Sequence, residues 1–196
     1  MRKVAAALAI AICSSSAVGQ APGVATSERM TREALAAIQR LNPALHAVIA
    51  VDPTAIEQAR RIDSAGQRGP LAGEPVLLKD NIESAGPLPT TAGSLALANN
   101  VTNRDAPLVA RLRAAGAVIL GKTNLSEWAN IRSNHSISGW SAVGGQTRNP
   151  WALDRNACGS SSGSGAAVAA GIVRMAMAPR PTARSLARRR STGSLG

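Results

Sequence analysis

A chain of 196 residues that is 45% hydrophobic is long enough for one domain with a real core, and too apolar to be disordered by composition. Its formal charge of +11 points first to nucleic acid or a membrane surface, yet residues 20–177 hold 15 basic and 11 acidic groups, a net of +4. The excess lies at the ends, in Arg2 and Lys3 and in Arg180, Arg184, Arg188, Arg189 and Arg190, so no nucleic-acid partner is expected of the body of the chain.

The N-terminus reads as an export signal over residues 1–19. Arg2 and Lys3 form its charged region, Val4 to Ile12 its apolar run, and Ala17-Val18-Gly19 a small-x-small cleavage site. The expected location is therefore periplasmic or secreted. Nine apolar residues are too few to span a bilayer, and no other segment reads as a membrane span. Cys13 leaves a lipoprotein reading open, although the bulky Ile12 before it fits poorly. With Cys13 removed, Cys158 stands alone, so no internal disulfide is expected. Cys158 reads as a small buried residue. His46 and His135 are isolated, so neither a metal nor any other cofactor is implied.

Ser27 is placed to cap a helix through Met30, Ala34, Leu35, Ile38 and Leu41, which Asn42-Pro43 should stop. Leu45 to Val51 is β-prone. Thr54 opens a second amphipathic helix with Ile56, Ala59, Arg60 and Ile62, ending near Gly66. Pro75-Val76-Leu77-Leu78 is continuously apolar and reads as a buried strand. Ala106 to Ala115 predicts a helix with Gly116 after it, and Ala117 to Leu120 a second buried strand. Asn124 to Ile131 predicts a short helix, Ser133 to Ser164 is rich in Gly, Ser and Asn, and Ala166 to Met177 predicts a helix or a helix–strand pair. Alternating strands and helices argue for an α/β fold.

Two segments carry candidate chemistry. Lys79 ends a buried strand, where lost hydration would lower its pKa and make it a base toward a hydroxyl. By position alone it reads first as a lysine whose head group snorkels to solvent. The run Cys158-Gly159-Ser160-Ser161-Ser162-Gly163-Ser164-Gly165 is open to three readings: a linker, a phosphate cradle, or a serine loop. It leads straight into an apolar segment, which disfavours a linker, and no Lys-Ser or Lys-Thr pair closes it as in a phosphate loop. It also lacks the Gly-x-Ser-x-Gly elbow.

Together these segments resemble the amidase signature family, which uses a Ser–cis-Ser–Lys triad. Gly69 to Ile82 resembles the family's lysine strand, and Thr90-Thr91-Ala92-Gly93-Ser94 the loop after it. Gly121-Lys122-Thr123-Asn124-Leu125-Ser126-Glu127-Trp128 is similar to a further block, and Gly144 to Trp151 to the approach to the serine loop. The resemblance runs from about Thr31 to Met177. It implies the N-terminal part of an α/β/α fold with a mixed central sheet, left incomplete. It also implies hydrolysis of a small-molecule or peptide amide, with Lys79 as the catalytic lysine and Ser160 as the cis-serine. The chain departs from the family pattern at Cys158 and Ser162, where glycine is usual.

The family's next block, Gly-Thr-Glu-Thr-Asp-Gly-Ser, ends on the nucleophile and should begin at Ala178. The chain has Ala178-Pro179-Arg180-Pro181-Thr182-Ala183-Arg184, with Arg184 in the nucleophile's place. A coding stretch GGC ACC GAG ACC GAC GGC TCG, read one base late, spells Ala-Pro-Arg-Pro-Thr-Ala-Arg, the sequence present. Ser185 to Gly196 can likewise be read one base off a Cys-Pro-Ala-Ser-Ile-Asn-Gly-like block. The expectation is a frameshift after Met177, with residues 20–177 the start of an amidase domain and 178–196 a basic, disordered tail that leaves the chain without its nucleophile. A different reading makes that tail a nucleic-acid-binding arm on a non-catalytic protein. Acyl group and oligomeric state are not legible.

Overall fold

A computed structural model describes residues 26–131 and 133–178. The export signal read at residues 1–19 and the tail from Pro179 onward, Arg184 included, lie outside the described residues.

Helix α1 (Ser27–Leu45) opens on Thr26, not Ser27: the Thr26 hydroxyl accepts from the Arg29 N–H, and Ser27 is the first helical residue. The Ser27 and Glu28 N–H groups donate instead to the Asp63 carboxylate, tying this helix end to α2 (Ala55–Ser64). Asn42-Pro43 does not stop α1, which runs on to Leu45. The Asn42 side chain works at the exit instead. Its Oδ1 accepts from the N–H groups of Ala47 and Val48, and its amide donates to the Val48 carbonyl, turning the chain into β1 (Val48–Val51).

The remaining elements are β2 (Pro75–Lys79), α3 (Pro107–Ala114), β3 (Val118–Thr123), the short pieces β4 (Trp140–Ser141), β5 (Gly145–Gln146), β6 (Arg148–Asn149) and β7 (Ala152–Asn156), then α4 (Ser162–Ala169) and β8 (Met175–Met177). The sheet has the order β1-β3-β2-β8. Strand β2 is parallel to both neighbours, and β1 is antiparallel to β3. This is the mixed sheet of an α/β fold.

Both faces of the sheet are covered, which is why β2 and β3 read as unbroken apolar runs rather than alternating ones. On one face Leu77, Val118 and Leu120 pack with Ala34, Ile38, Ala59 and Ala167 of α1, α2 and α4. On the other, Val76, Leu78 and Ile119 pack with Val109 and Leu112 of α3 and with Ile82. Small side chains fill much of the first cluster, as a chain without Phe or Tyr requires.

Two sequence expectations resolve differently. Asn124 to Ile131 is not an α-helix but a single 3₁₀ turn, Glu127–Asn130, in which Trp128, Ala129 and Asn130 take left-handed backbone at φ 48°, 55° and 67°. Ala166 to Met177 is the helix–strand pair, with α4 starting four residues earlier, inside the Gly/Ser run.

Candidate active site

Strand geometry decides which side chains reach this site. Leu77 faces the α1/α2/α4 layer, so Lys79, two residues on, faces it too. Lys79 Nζ lies 3.0 Å from Ser160 Oγ and 3.0 Å from Ser161 Oγ, and the residue is only 2% exposed. It does not snorkel to solvent. The loop leading into α4 covers it and supplies the hydroxyls that bind it. Loss of hydration pushes the Lys79 ammonium down to about 8.

The same alternation would turn Lys122 toward this layer, because Leu120 faces it. A register shift where β3 pairs with β2, between Val76 and Leu77, prevents that. Beyond the shift Lys122 is paired with Leu78 and faces the α3 side, while Thr123 is paired with Lys79 and faces the site. Lys122 is fully buried and donates to the Ile82 carbonyl and to Thr90 Oγ1. Burial pushes it down to about 8, against the pull of Asp80, Glu83 and Asp105. Asp80 in turn is raised by burial, while bonds from the Thr91 hydroxyl and N–H oppose the rise. Lys122 and Asp80 thus fix the Thr90–Gly93 loop beside the strand ends. Thr123 Oγ1 and Ser164 Oγ share a hydrogen bond of 2.7 Å, which ties β3 to the first turn of α4.

The serine loop is held by backbone contacts that leave no room for side chains. The Ser126 N–H donates to the Ser160 carbonyl, and the Gly163 N–H to the Asn124 carbonyl, each at 3.0 Å. A Cβ on Gly159 would sit 2.3 Å from Ser126 Oγ, and one on Gly163 would sit 2.2 Å from the Ala47 carbonyl oxygen. The peptide bond between Gly159 and Ser160 is cis. Asn124 organises the surrounding segments. Its amide donates to the carbonyls of His46 and Gly145 and to Thr147 Oγ1, while its Oδ1 accepts from the Leu125 N–H and the Ser141 hydroxyl. The run is therefore no linker.

Both departures from the glycine pattern are visible in the geometry. Cys158 is half-buried rather than buried, and its φ of 57° is a value that favours glycine. Ser162 is 2% exposed and its hydroxyl has no hydrogen-bond partner among the described residues. Neither His46 nor His135 joins the Lys79 cluster. Among the described residues no group of three or more His, Cys, Asp or Glu side chains could hold a metal, and no helix is long and apolar enough to cross a membrane. A cleft of about 510 Å³ lies along the 3₁₀ turn that follows Ser126, lined by Ser94, Glu127, Trp128, Asn130, Ile137 and Trp140 among others.

Residues 29–178 match the family model described as Amidase. The chain belongs to the amidase family. A probable amidase of Arabidopsis thaliana is 48% identical over 158 residues, covering 78% of this amidase chain and 31% of the plant protein. A putative amidase of Schizosaccharomyces pombe is 40% identical over 159 residues, covering 79% of the chain and 27% of the yeast protein. Among solved structures, native peptide amidase from Stenotrophomonas maltophilia superposes with a TM-score of 0.74 at 54% identity, over 77% of this chain and 32% of that one. The chain thus spans less than a third of the length of each of these relatives.

At this candidate site, the sequence paired Lys79 with Ser160 through resemblance but gave no role to Ser161, Asn124, Ser126 or Lys122. A signal was available for some of them. Lys122, Thr123 and Asn124 are polar residues directly following a buried strand, and such residues must find partners inside the protein.

Proposed function

We propose that this amidase is built to hydrolyse the C–N bond of a small-molecule or peptide amide, with Lys79 as general base and Ser160 passing the proton of a nucleophilic serine to it. The observation that carries the reading is a 2%-exposed lysine whose Nζ lies 3.0 Å from Ser160 Oγ. Neutral Lys79 accepts the Ser160 proton, Ser160 takes one from the nucleophile, and the nucleophile's oxygen attacks the amide carbonyl. The ammonium then returns a proton to the leaving amine, and water hydrolyses the acyl-enzyme by the same relay. The similarity to the Stenotrophomonas peptide amidase supports a peptide amide as substrate. The cleft beside the Glu127–Asn130 turn, with Trp128, Ile137 and Trp140 in its walls, is offered as the seat of its acyl side.

In this reading Arg184 occupies the position of the nucleophile, and a shift of reading frame after Met177 put it there. The relay then has no second hydroxyl, beyond that of Ser160, to activate. The protein is exported, on the signal in residues 1–19. Restoring the frame after the Met177 codon and assaying ammonia release from a C-terminally amidated dipeptide tests the proposal. Turnover is expected from the restored enzyme and none from the 196-residue chain. Turnover by the chain itself, or none by a soluble, folded restored enzyme across a panel of amides, would refute it.

A further inference from the structure

Lys79 holds two hydroxyls, and the relay above uses one. Ser161 Oγ is as close to Nζ as Ser160 Oγ, 3.0 Å in each case. Ser161 occupies the N-cap position of α4, where a serine side chain ordinarily accepts from the first-turn N–H groups, yet it makes no such capping bond. Its hydroxyl is turned to Lys79 instead. The neighbouring serines are otherwise engaged or shut away: Ser164 is bound to Thr123, and Ser162 is 2% exposed and not among the partners of Lys79. Ser160 and Ser161 are only half-buried, so a small reagent can reach them.

A neutral lysine amine has one lone pair and two N–H groups. It can accept the Ser161 proton while donating to Ser160 Oγ, so the pair needs no third residue. We propose that Ser161, with Lys79 as its base, is a nucleophile in its own right in this chain, able to take one group from an activated acyl or phosphonyl electrophile. The inference rests on the reading of Lys79 as a base.

The step balances within the pair. The Ser161 O–H proton passes to Lys79 Nζ, Oγ bonds to the electrophilic carbon or phosphorus, and the bond to the leaving group breaks. With a fluorophosphonate, a P–O bond forms, the P–F bond breaks, fluoride departs, and the Lys79 ammonium later gives its proton to water. Charge developing on the electrophile's oxygen would lie at the N-terminal end of α4, whose helix dipole favours an anion. An activated electrophile is the class that fits, because its leaving group departs without being protonated. The burial-lowered pKa of Lys79 lets the pair work near neutral pH.

The test is to expose the purified 196-residue chain to a fluorophosphonate probe, with intact-mass measurement and peptide mapping. One phosphonyl group is expected, on Ser161. Its rate should climb about tenfold between pH 7 and 9 as Lys79 loses its proton. Ser161→Ala should lose the label, and peptide mapping of the unaltered chain should place none on Ser160. Lys79→Ala should slow labelling by about 100-fold or more. The pH profile of the unaltered chain makes the same test should Lys79→Ala fail to fold. No label, a label on Ser160, or a pH-independent rate would overturn the proposal. Amide turnover by the frame-restored enzyme is read separately: an active restored enzyme whose parent chain takes no label sinks this inference alone.

Discussion

Two alanine substitutions two residues apart on α4 should move stability in opposite directions. By helix propensity alone, replacing glycine with alanine stabilises a helix by up to about 1 kcal/mol. At Gly165 nothing among the described residues lies within 4 Å of the added Cβ, so Gly165→Ala should realise about 0.5–1 kcal/mol of that gain. At Gly163 the same carbon would lie 2.2 Å from the Ala47 oxygen, 2.5 Å from the Asn124 nitrogen and 2.7 Å from the Asn124 oxygen. All three are backbone atoms of paired segments, so the clash is relieved only by moving the serine loop. Overpacking of that kind costs about 1–3 kcal/mol. The move also breaks the Gly163 N–H to Asn124 carbonyl bond, for about 1 kcal/mol more. Net of propensity, Gly163→Ala should destabilise by roughly 1–3 kcal/mol. Urea unfolding of both variants, followed by far-UV circular dichroism, compares them directly. A Gly163→Ala protein as stable as Gly165→Ala would refute the close packing of the loop on the Asn124 segment.

Other perturbations test neighbouring parts of the site. Lys79 has a folded pKa of about 8, below its ordinary value, so in the pH range between the two the unfolded chain binds more protons. Its burial penalty is therefore fully present below about pH 8 and fades as pH rises to about 10.5. Lys79→Met should raise stability at pH 7 and reduce the upward slope of stability between pH 8 and 10, leaving the part that the equally depressed Lys122 supplies, measured by urea midpoints; an unchanged slope would count against a buried, depressed Lys79. Cys158→Gly should stabilise by about 0.5–1 kcal/mol, because φ is 57° there, and a thermal shift in the other direction would contradict it. Asn124→Ala removes the partner of five groups and should cost at least 3 kcal/mol, or folding altogether, in the same urea assay. N-terminal sequencing of exported protein should begin at Gln20, and a mature chain beginning at a lipid-modified Cys13 would replace that expectation.

What the sequence made legible followed from burial on two faces. Val76 to Leu78 and Val118 to Leu120 carry unbroken apolar runs because helices cover both sides of the sheet, and both were readable as strands. The pairing of Lys79 with Ser160, 81 residues apart, was not readable from spacing, and came only from resemblance. The misread elements share a cause: side chains doing backbone work. Asn42 looked like a helix stop, but its amide binds the next segment and the helix runs past it. Asn124 to Ile131 has helix-like periodicity, yet Asn124 and Ser126 are spent on the His46, Gly145 and Gly139 backbones, and the turn that follows is left-handed. The role of Lys122 depended on a one-residue register shift, which reverses side-chain direction without leaving a mark in composition.

The most direct test of Lys79 as the base is the pH dependence of amide hydrolysis by the frame-restored enzyme. A rate that rises with pH and levels off above about pH 8, with Lys79→Met slower by a factor of about 100 to 10,000 across the range, is the expected result. A rate flat from pH 6 to 10, or a Lys79→Met enzyme that retains its activity, would contradict it.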